Sequence, residues 1–147
     1  RPDLSGSDED QVLATVRSMM AALEAGEGEL ACSLMASPDQ LEEAGAERVR
    51  AGQEAFVTVV SRLTDLPPDA TCEEAVESYA EELSRLAPDA RPDSPEDLTA
   101  EDVAFTPEGG QVVPGADYAQ VNGTYRGAIQ LESIGGQWLV TIPFFLD

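Results

Sequence analysis

The side chains that usually carry enzyme chemistry are scarce in this chain. Its 147 residues include two cysteines, Cys32 and Cys72, and no histidine, and its eight cationic residues are all arginine. Histidine is the usual general base near neutral pH and the commonest metal ligand, whereas lysine is the usual Schiff-base former. Chemistry that depends on histidine or lysine is therefore excluded, and the composition predicts neither a cofactor nor a metal site.

The two cysteines stand 40 positions apart, which excludes a Cys-x-x-Cys redox pair. Two thiolates without histidine make a poor zinc site, and a nucleophilic cysteine would lack its usual base. Two interpretations remain: a structural disulfide between Cys32 and Cys72, or two buried free thiols. We favour the disulfide because exported domains keep such bonds, and a loop of this size would contribute about 4 kcal/mol on the chain-entropy model.

Acid/base catalysis of the isomerase type would need an aspartate base together with a tyrosine hydroxyl or a protonated aspartate as oxyanion donor. The acidic candidates are Asp102 and Asp117, and the hydroxyl candidates are Tyr79, Tyr118 and Tyr125. Both aspartates lie at the ends of predicted strands, where a solvated carboxylate is the simpler expectation. No catalytic residue is therefore assigned.

Four other side chains are candidates for lining a pocket: Tyr79, Tyr125, Arg126 and Trp138. The alternative for the aromatic residues is ordinary packing in the core and the sheet. Arg126 is the only cation in the last 55 residues. It would pair either with an anionic ligand or with a neighbouring carboxylate such as Glu132.

The chain is strongly acidic, with 29 Asp and Glu against eight Arg and a net charge of −21. Such a charge repels nucleic acid and anionic membrane surfaces, and it favours cationic partners or a salty medium. The use of arginine alone is typical of a GC-rich genome, and a halophilic origin is the alternative. The acidic connector over residues 87–98 lacks the spacing of an EF-hand calcium loop.

Helical spacing of apolar residues dominates the first two thirds of the chain, with helix-start signals at Ser7, Ser37 and Thr71. Four helical segments are predicted: one from Ser7 to Gly26, a short one over residues 29–35, one over 38–63 that is broken near Gly45, and one after Thr71 that stops at Pro88.

The apolar period changes to two after residue 102, which predicts strands around Val103, over 117–122, over 125–134 and over 138–142, with a tight hairpin at Gly135-Gly136. Helices followed by an antiparallel meander indicate an α+β fold. We expect residues 1–7 to be a linker and 8–147 to be a single domain. No apolar run approaches the ~20 residues that span a bilayer, so no direct membrane insertion is predicted. Since the chain does not begin with Met, we expect an upstream export signal or anchor to have been removed.

The order of three sequence patterns resembles that of the nuclear transport factor 2-like (cystatin-like) superfamily, and in particular its exported or lipid-anchored actinobacterial domains. The first pattern is Ala-Leu-Glu-Ala-Gly-Glu-Gly (22–28) followed by Leu-Ala-Cys-Ser-Leu-Met (30–35). The second is Thr-Cys-Glu-Glu-Ala-Val (71–76), which would supply the partner cysteine. The third is Ala-Asp-Tyr-Ala-Gln-Val (116–121), Ala-Ile-Gln-Leu-Glu (128–132) and Gly-Gly-Gln-Trp-Leu-Val (135–140).

This resemblance implies a cone-like roll, in which N-terminal helices pack on a strongly curved antiparallel sheet of about four strands, with a cavity between them. It also implies export. The leading functional hypothesis is a non-catalytic extracytoplasmic module that binds a small ligand or a protein partner. The alternatives are a homodimeric structural module that pairs through the open face of its sheet, and a small isomerase- or dehydratase-type enzyme with an acid/base site in the cone.

Overall fold

The computed structural model of this chain describes residues 7–46, 51–86, 98–105, 113, 116–124 and 127–142. Its helices are α1 (Asp8–Ala25), α2 (Gly28–Ser33), α3 (Pro38–Glu43), α4 (Gln53–Leu63) and α5 (Cys72–Arg85). A short 3-10 helix (Ala100–Asp102) precedes the strands β1 (Val103–Ala104), β2 (Tyr118–Thr124), β3 (Gly127–Ile134) and β4 (Gln137–Ile142). The strands form one antiparallel sheet in the order β1-β2-β3-β4. The predicted α+β class is therefore confirmed.

Helix α1 begins and ends where its sequence signals predict. The Ser7 hydroxyl accepts a hydrogen bond from the Asp10 backbone N–H at 3.3 Å, and Gly26 closes the helix with a left-handed φ of 72°. The predicted apolar face is buried, and it comprises Val12, Leu13, Val16, Met19, Met20 and Leu23.

The predicted break near Gly45 separates two distinct helices rather than bending one. Helix α3 ends at Glu43, Gly45 has a φ of 90°, and α4 begins only at Gln53. Phe56 and Val60 on α4 are buried as predicted, whereas Leu63 is 58% exposed because it is the last residue of the helix and lies outside the core.

A capping box begins α5, as the Thr71-x-x-Glu74 spacing predicts. The Thr71 hydroxyl accepts a hydrogen bond from the Glu74 backbone N–H at 3.2 Å. In return, Glu74 Oε1 accepts hydrogen bonds from the Thr71 N–H at 3.1 Å and from the Thr71 hydroxyl at 3.0 Å.

This capping box makes stability depend on pH. The Thr71 N–H, with a smaller contribution from the Thr71 hydroxyl, lowers the pKa of Glu74 below its ordinary value of 4.5. A carboxylate with a lowered pKa stabilises the fold fully above its ordinary, unfolded-state pKa. That contribution is lost as pH falls through the folded-state pKa.

We expect Glu74→Gln to flatten this part of the dependence of the free energy of unfolding on pH, measured by urea unfolding. The matched change Glu77→Gln, on the same helix outside the box, should leave it unchanged; coincident profiles for all three proteins would contradict the expectation.

The inner face of the sheet packs on the helices. Ile129 and Leu131 of β3, with Trp138 and Val140 of β4, belong to one buried cluster with apolar residues of α1, α2, α4 and α5. The hairpin predicted at Gly135-Gly136 joins β3 to β4, and both glycines have positive φ, at 61° and 82°.

The edge of the sheet at β4 is covered by the connection between α2 and α3. The Val140 N–H donates to the Leu34 carbonyl at 2.9 Å, and the Ala36 N–H donates to the Val140 carbonyl at 2.9 Å. The Gly52 N–H then donates to the Thr141 carbonyl at 2.6 Å. Backbone groups at an edge need partners, and these three bonds supply them.

The outer face of β3 and β4, opposite the helical layer, is also buried within the chain. Leu139 packs in a second apolar cluster with residues from the α3 region and with Val113; its buried members are Ala36, Leu41, Ala46, Ala51, Val113 and Leu139. Tyr118 of β2 and Thr141 of β4 are buried as well. Any pairing of two copies through this face would have to displace these contacts.

Candidate functional site

A groove of about 440 Å³ runs along the solvent side of α4. One wall is α4 itself, through Gln53, Glu54, Val57, Thr58, Ser61 and Arg62, and the other parts are Pro38, Pro68, Ala70 and Cys72. We call it the α4 groove. Its volume lies in the range of about 300–1,000 Å³ that is typical of small-molecule sites.

The disulfide forms one border of the α4 groove. Cys32 on α2 is bonded to Cys72, the first residue of α5, with a Cα–Cα distance of 6.1 Å, so the alternative of two free thiols is excluded. The Gln53 amide at the start of α4 donates a hydrogen bond to the Cys32 carbonyl at 2.7 Å. Three helices are therefore joined beside the groove, which fixes the position of its walls.

Polar side chains follow the length of the α4 groove. Glu54, Thr58 and Arg62 are four residues apart, so they share one face of α4. The Thr58 hydroxyl donates its hydrogen to the Glu54 carbonyl at 3.0 Å, and the Ser61 hydroxyl donates to the Pro67 carbonyl at 3.3 Å. Since each hydroxyl has one hydrogen, both offer acceptor lone pairs to the groove.

The arrangement suits binding better than covalent catalysis. A serine or threonine nucleophile needs a base that takes its proton, and the hydroxyls of Ser61 and Thr58 donate to backbone carbonyls instead. The two charged side chains of the described lining, Glu54 and Arg62, come from backbone positions eight residues apart, or about 12 Å of helix rise. From these positions they can hold a charged ligand at two points.

A second depression, of about 460 Å³, lies beside α2 and is lined by residues 27–30 and Ser33. A single short stretch of chain forms its whole described lining. It therefore lacks the convergence of separate elements that the α4 groove has.

The structure places two of the four predicted pocket-lining residues in the core. The Tyr79 ring is buried and meets the Phe56 ring edge-on, with 5.8 Å between their centres. The Trp138 ring meets Phe105 at 5.8 Å, and its N–H donates to Asp8 Oδ1 at 3.5 Å. Neither ring lines the α4 groove.

The other two predicted pocket residues, Tyr125 and Arg126, lie outside the described residues, as does any contact between Arg126 and Glu132. A pocket around Tyr79, Tyr125, Arg126 and Trp138 therefore stays a prediction.

The two aspartates considered for acid/base catalysis lie at the ends of elements. Asp102 Oδ2 accepts a hydrogen bond from the Thr99 N–H at 2.8 Å and caps the 3-10 helix before β1. Asp117 is exposed just before β2, and its carbonyl accepts from the Ser133 N–H at 2.9 Å. The Tyr118 hydroxyl donates to Gln120 Oε1 at 2.8 Å. These groups do not converge on a common cavity among those described.

Glu132 is a buried carboxylate whose burial sequence analysis did not predict. It lies on the outer face of β3 and is 0% exposed. One of its carboxylate oxygens accepts from the Val113 N–H at 2.8 Å, and the other accepts from the Gln130 side-chain amide at 2.9 Å. Gln130 also lies 3.4 Å from the Thr141 hydroxyl. The carboxylate thus joins the segment at Val113 to the sheet.

We expect Glu132→Gln to cost about 1–3 kcal/mol, because an amide would turn its N–H₂ group toward one of two donors that now face carboxylate oxygens. Urea unfolding measures the loss, and faster hydrogen exchange at the Val113 amide would locate it. Glu101→Gln, an exposed carboxylate in the 3-10 helix, is the control. Equal stability of the two variants would contradict the structural role of Glu132.

Comparison with known proteins adds no further constraint. A scan of protein-family models and searches of curated proteins and solved structures found no match to this chain. Over the described ranges, no helix is both long and apolar enough to cross a bilayer, and no three Asp, Glu or Cys side chains are arranged to hold a metal ion. The α4 groove and the disulfide are therefore the described features that bear on function.

Proposed function

We propose that this chain is a non-catalytic extracytoplasmic domain that binds a small ligand in the α4 groove. The observation that carries the proposal is the groove itself: α4 and the first residues of α3 and α5 border a recess of ligand size. The Cys32–Cys72 disulfide and the Gln53 amide attach α2 to α5 and to α4 beside it. Its walls combine apolar surface at Val57 and Pro68 with acceptors, one carboxylate and one guanidinium. Such a mixture orients a ligand without reacting with it.

The extracytoplasmic location is supported by the disulfide, because such bonds persist mainly in oxidising compartments. An alkaline phosphatase reporter fused to the natural gene product would test it. Active alkaline phosphatase, which needs export to form its own disulfides, is the expected result. An inactive fusion together with free thiols at Cys32 and Cys72 in protein isolated from its source would contradict the location.

Membership of the nuclear transport factor 2-like superfamily is part of this proposal, with the strongly curved, cone-like sheet that it implies. The order of elements supports it, since five described helices precede a four-stranded antiparallel meander. An experimentally determined structure tests this part directly. A flat sheet without a concave face would overturn the superfamily assignment and leave the α4 groove unaffected.

Native mass spectrometry of the non-reduced protein, purified from its source, tests the binding function. We expect a bound species that leaves on denaturation and whose removal changes the NMR signals of residues 53–62. Protein without any adduct, and without a response of those signals to a library of small fragments, would overturn the proposal. A clean dimer without ligand would favour the homodimeric alternative.

A further inference from the structure

The charges of the α4 groove are arranged as two opposite poles. Glu54 lies in the first turn of α4 and Arg62 in the last turn, so both complement the helix dipole. The eight residues between them correspond to about 12 Å along the helix axis. A ligand that lies along the groove would meet a negative pole at one end and a positive pole at the other.

The lining between the poles presents acceptors and apolar surface. Thr58 and Ser61 use their hydroxyl hydrogens on carbonyls within the chain, so a ligand meets their lone pairs. Val57 and Pro68 add small apolar surfaces. A ligand that carries backbone N–H groups and small side chains would complement this lining.

We propose that the α4 groove binds a short extended peptide with free termini, with its ammonium group at Glu54 and its carboxylate at Arg62. An extended chain rises at most 3.3–3.6 Å per residue, so a span of about 12 Å corresponds to roughly three or four residues. A carboxylate has several acceptor positions, so Glu54 can receive the ammonium group beside its contacts within the chain. The guanidinium of Arg62 can donate hydrogen bonds from two N–H groups to the peptide carboxylate.

The test is an NMR titration of the intact, oxidised protein with tetraalanine at millimolar concentration. Two companion peptides each lack one terminal charge. N-acetyl-tetraalanine lacks the ammonium group, and tetraalanine amide lacks the carboxylate. We expect tetraalanine to shift the amide signals of residues 53–62 and 69–72, and each blocked peptide to bind about fivefold more weakly, as expected for the loss of one exposed ion pair.

Two variants assign the poles. Arg62→Gln should abolish the difference between tetraalanine and its amide, and Glu54→Gln should abolish the difference made by acetylation. Arg85→Gln is the matched control, because Arg85 is also an exposed arginine in a last helical turn but pairs with Glu82 at 3.5 Å on α5. It should leave all three affinities unchanged.

This inference rests on the proposed function, but the two can fail separately. Equal binding of all three peptides, shifts away from the groove, or no shifts would each overturn the peptide assignment. If the native adduct is then a non-peptide molecule bound at residues 53–62, the binding function stands without the peptide. If no adduct and no fragment response are found either, both fail.

Discussion

Gly52→Ala is expected to destabilise the protein by roughly 3–5 kcal/mol, the sum of a strained backbone and an overpacked contact. Gly52 has φ 59° and ψ −125°, a conformation that a residue with a Cβ rarely adopts. The Cβ of an alanine there would collide with the Ala36 carbonyl oxygen. Because this neighbour is backbone, relief would require moving the segment that covers the edge of β4. Urea unfolding followed by circular dichroism measures the loss.

Gly45→Ala is the matched control for this prediction. Gly45 also has a positive φ, 90°, but nothing lies within 4 Å of a Cβ built there. Its substitution should cost only about 1–2 kcal/mol, the usual cost of a left-handed conformation. If the two variants lost equal stability, the close approach of Gly52 to Ala36 would not be what requires glycine.

Loss of the disulfide is expected to cost about 4 kcal/mol, since the bond closes a loop of 40 residues that the unfolded chain would otherwise explore freely. It also attaches α2, a helix of six residues that is too short to be stable alone. Stability should fall by this amount in Cys32→Ala/Cys72→Ala, measured by urea unfolding. A loss of this size is a large fraction of the 5–15 kcal/mol that typically separates folded from unfolded states.

Reduction distinguishes the stabilising effect of the disulfide bond from that of the packed sulfur atoms. Both cysteines are buried, so replacement by alanine also removes packed sulfur. We expect dithiothreitol to lower the stability of the wild-type protein and to leave the double alanine variant unchanged. A wild-type protein whose unfolding midpoint does not respond to complete reduction, checked by counting free thiols, would contradict the prediction.

Local sequence signals determined the ends of the long helices. A serine or threonine hydroxyl can satisfy N–H groups of its own helix, so Ser7 and Thr71 specify the starts of α1 and α5 without help from distant residues. Gly26 and the Gly135-Gly136 pair likewise specify a helix end and a hairpin, because only glycine takes positive φ at little cost. The order of helices and strands, and hence the α+β class, follows from these signals and the apolar spacing.

Composition reduced the number of possible roles for the two cysteines, and the tertiary structure shows that they form a disulfide. With no histidine in the chain, most other roles for Cys32 and Cys72 were already excluded. Whether their sulfur atoms meet depends on how α2 packs beside the start of α5, which no local pattern specifies. The α4 groove likewise depends on tertiary packing, since its walls come from three separate segments: Pro38, residues 53–62 and residues 68–72. Sequence analysis therefore did not identify Arg62 or Ser61 as site residues.

Alternation along β3 showed which residues share a face, but not whether that face meets water. Gln130 and Glu132 alternate with Ile129 and Leu131, which by itself indicates a solvated outer face. The tertiary structure buries Glu132 completely, because the region of α3 and the segment at Val113 cover that side of the sheet. A strand's period is a local property, whereas burial depends on segments distant in sequence. The helices and strands of this protein therefore follow from local sequence patterns, whereas its groove, its disulfide and its buried carboxylate follow from contacts between segments that are distant in sequence.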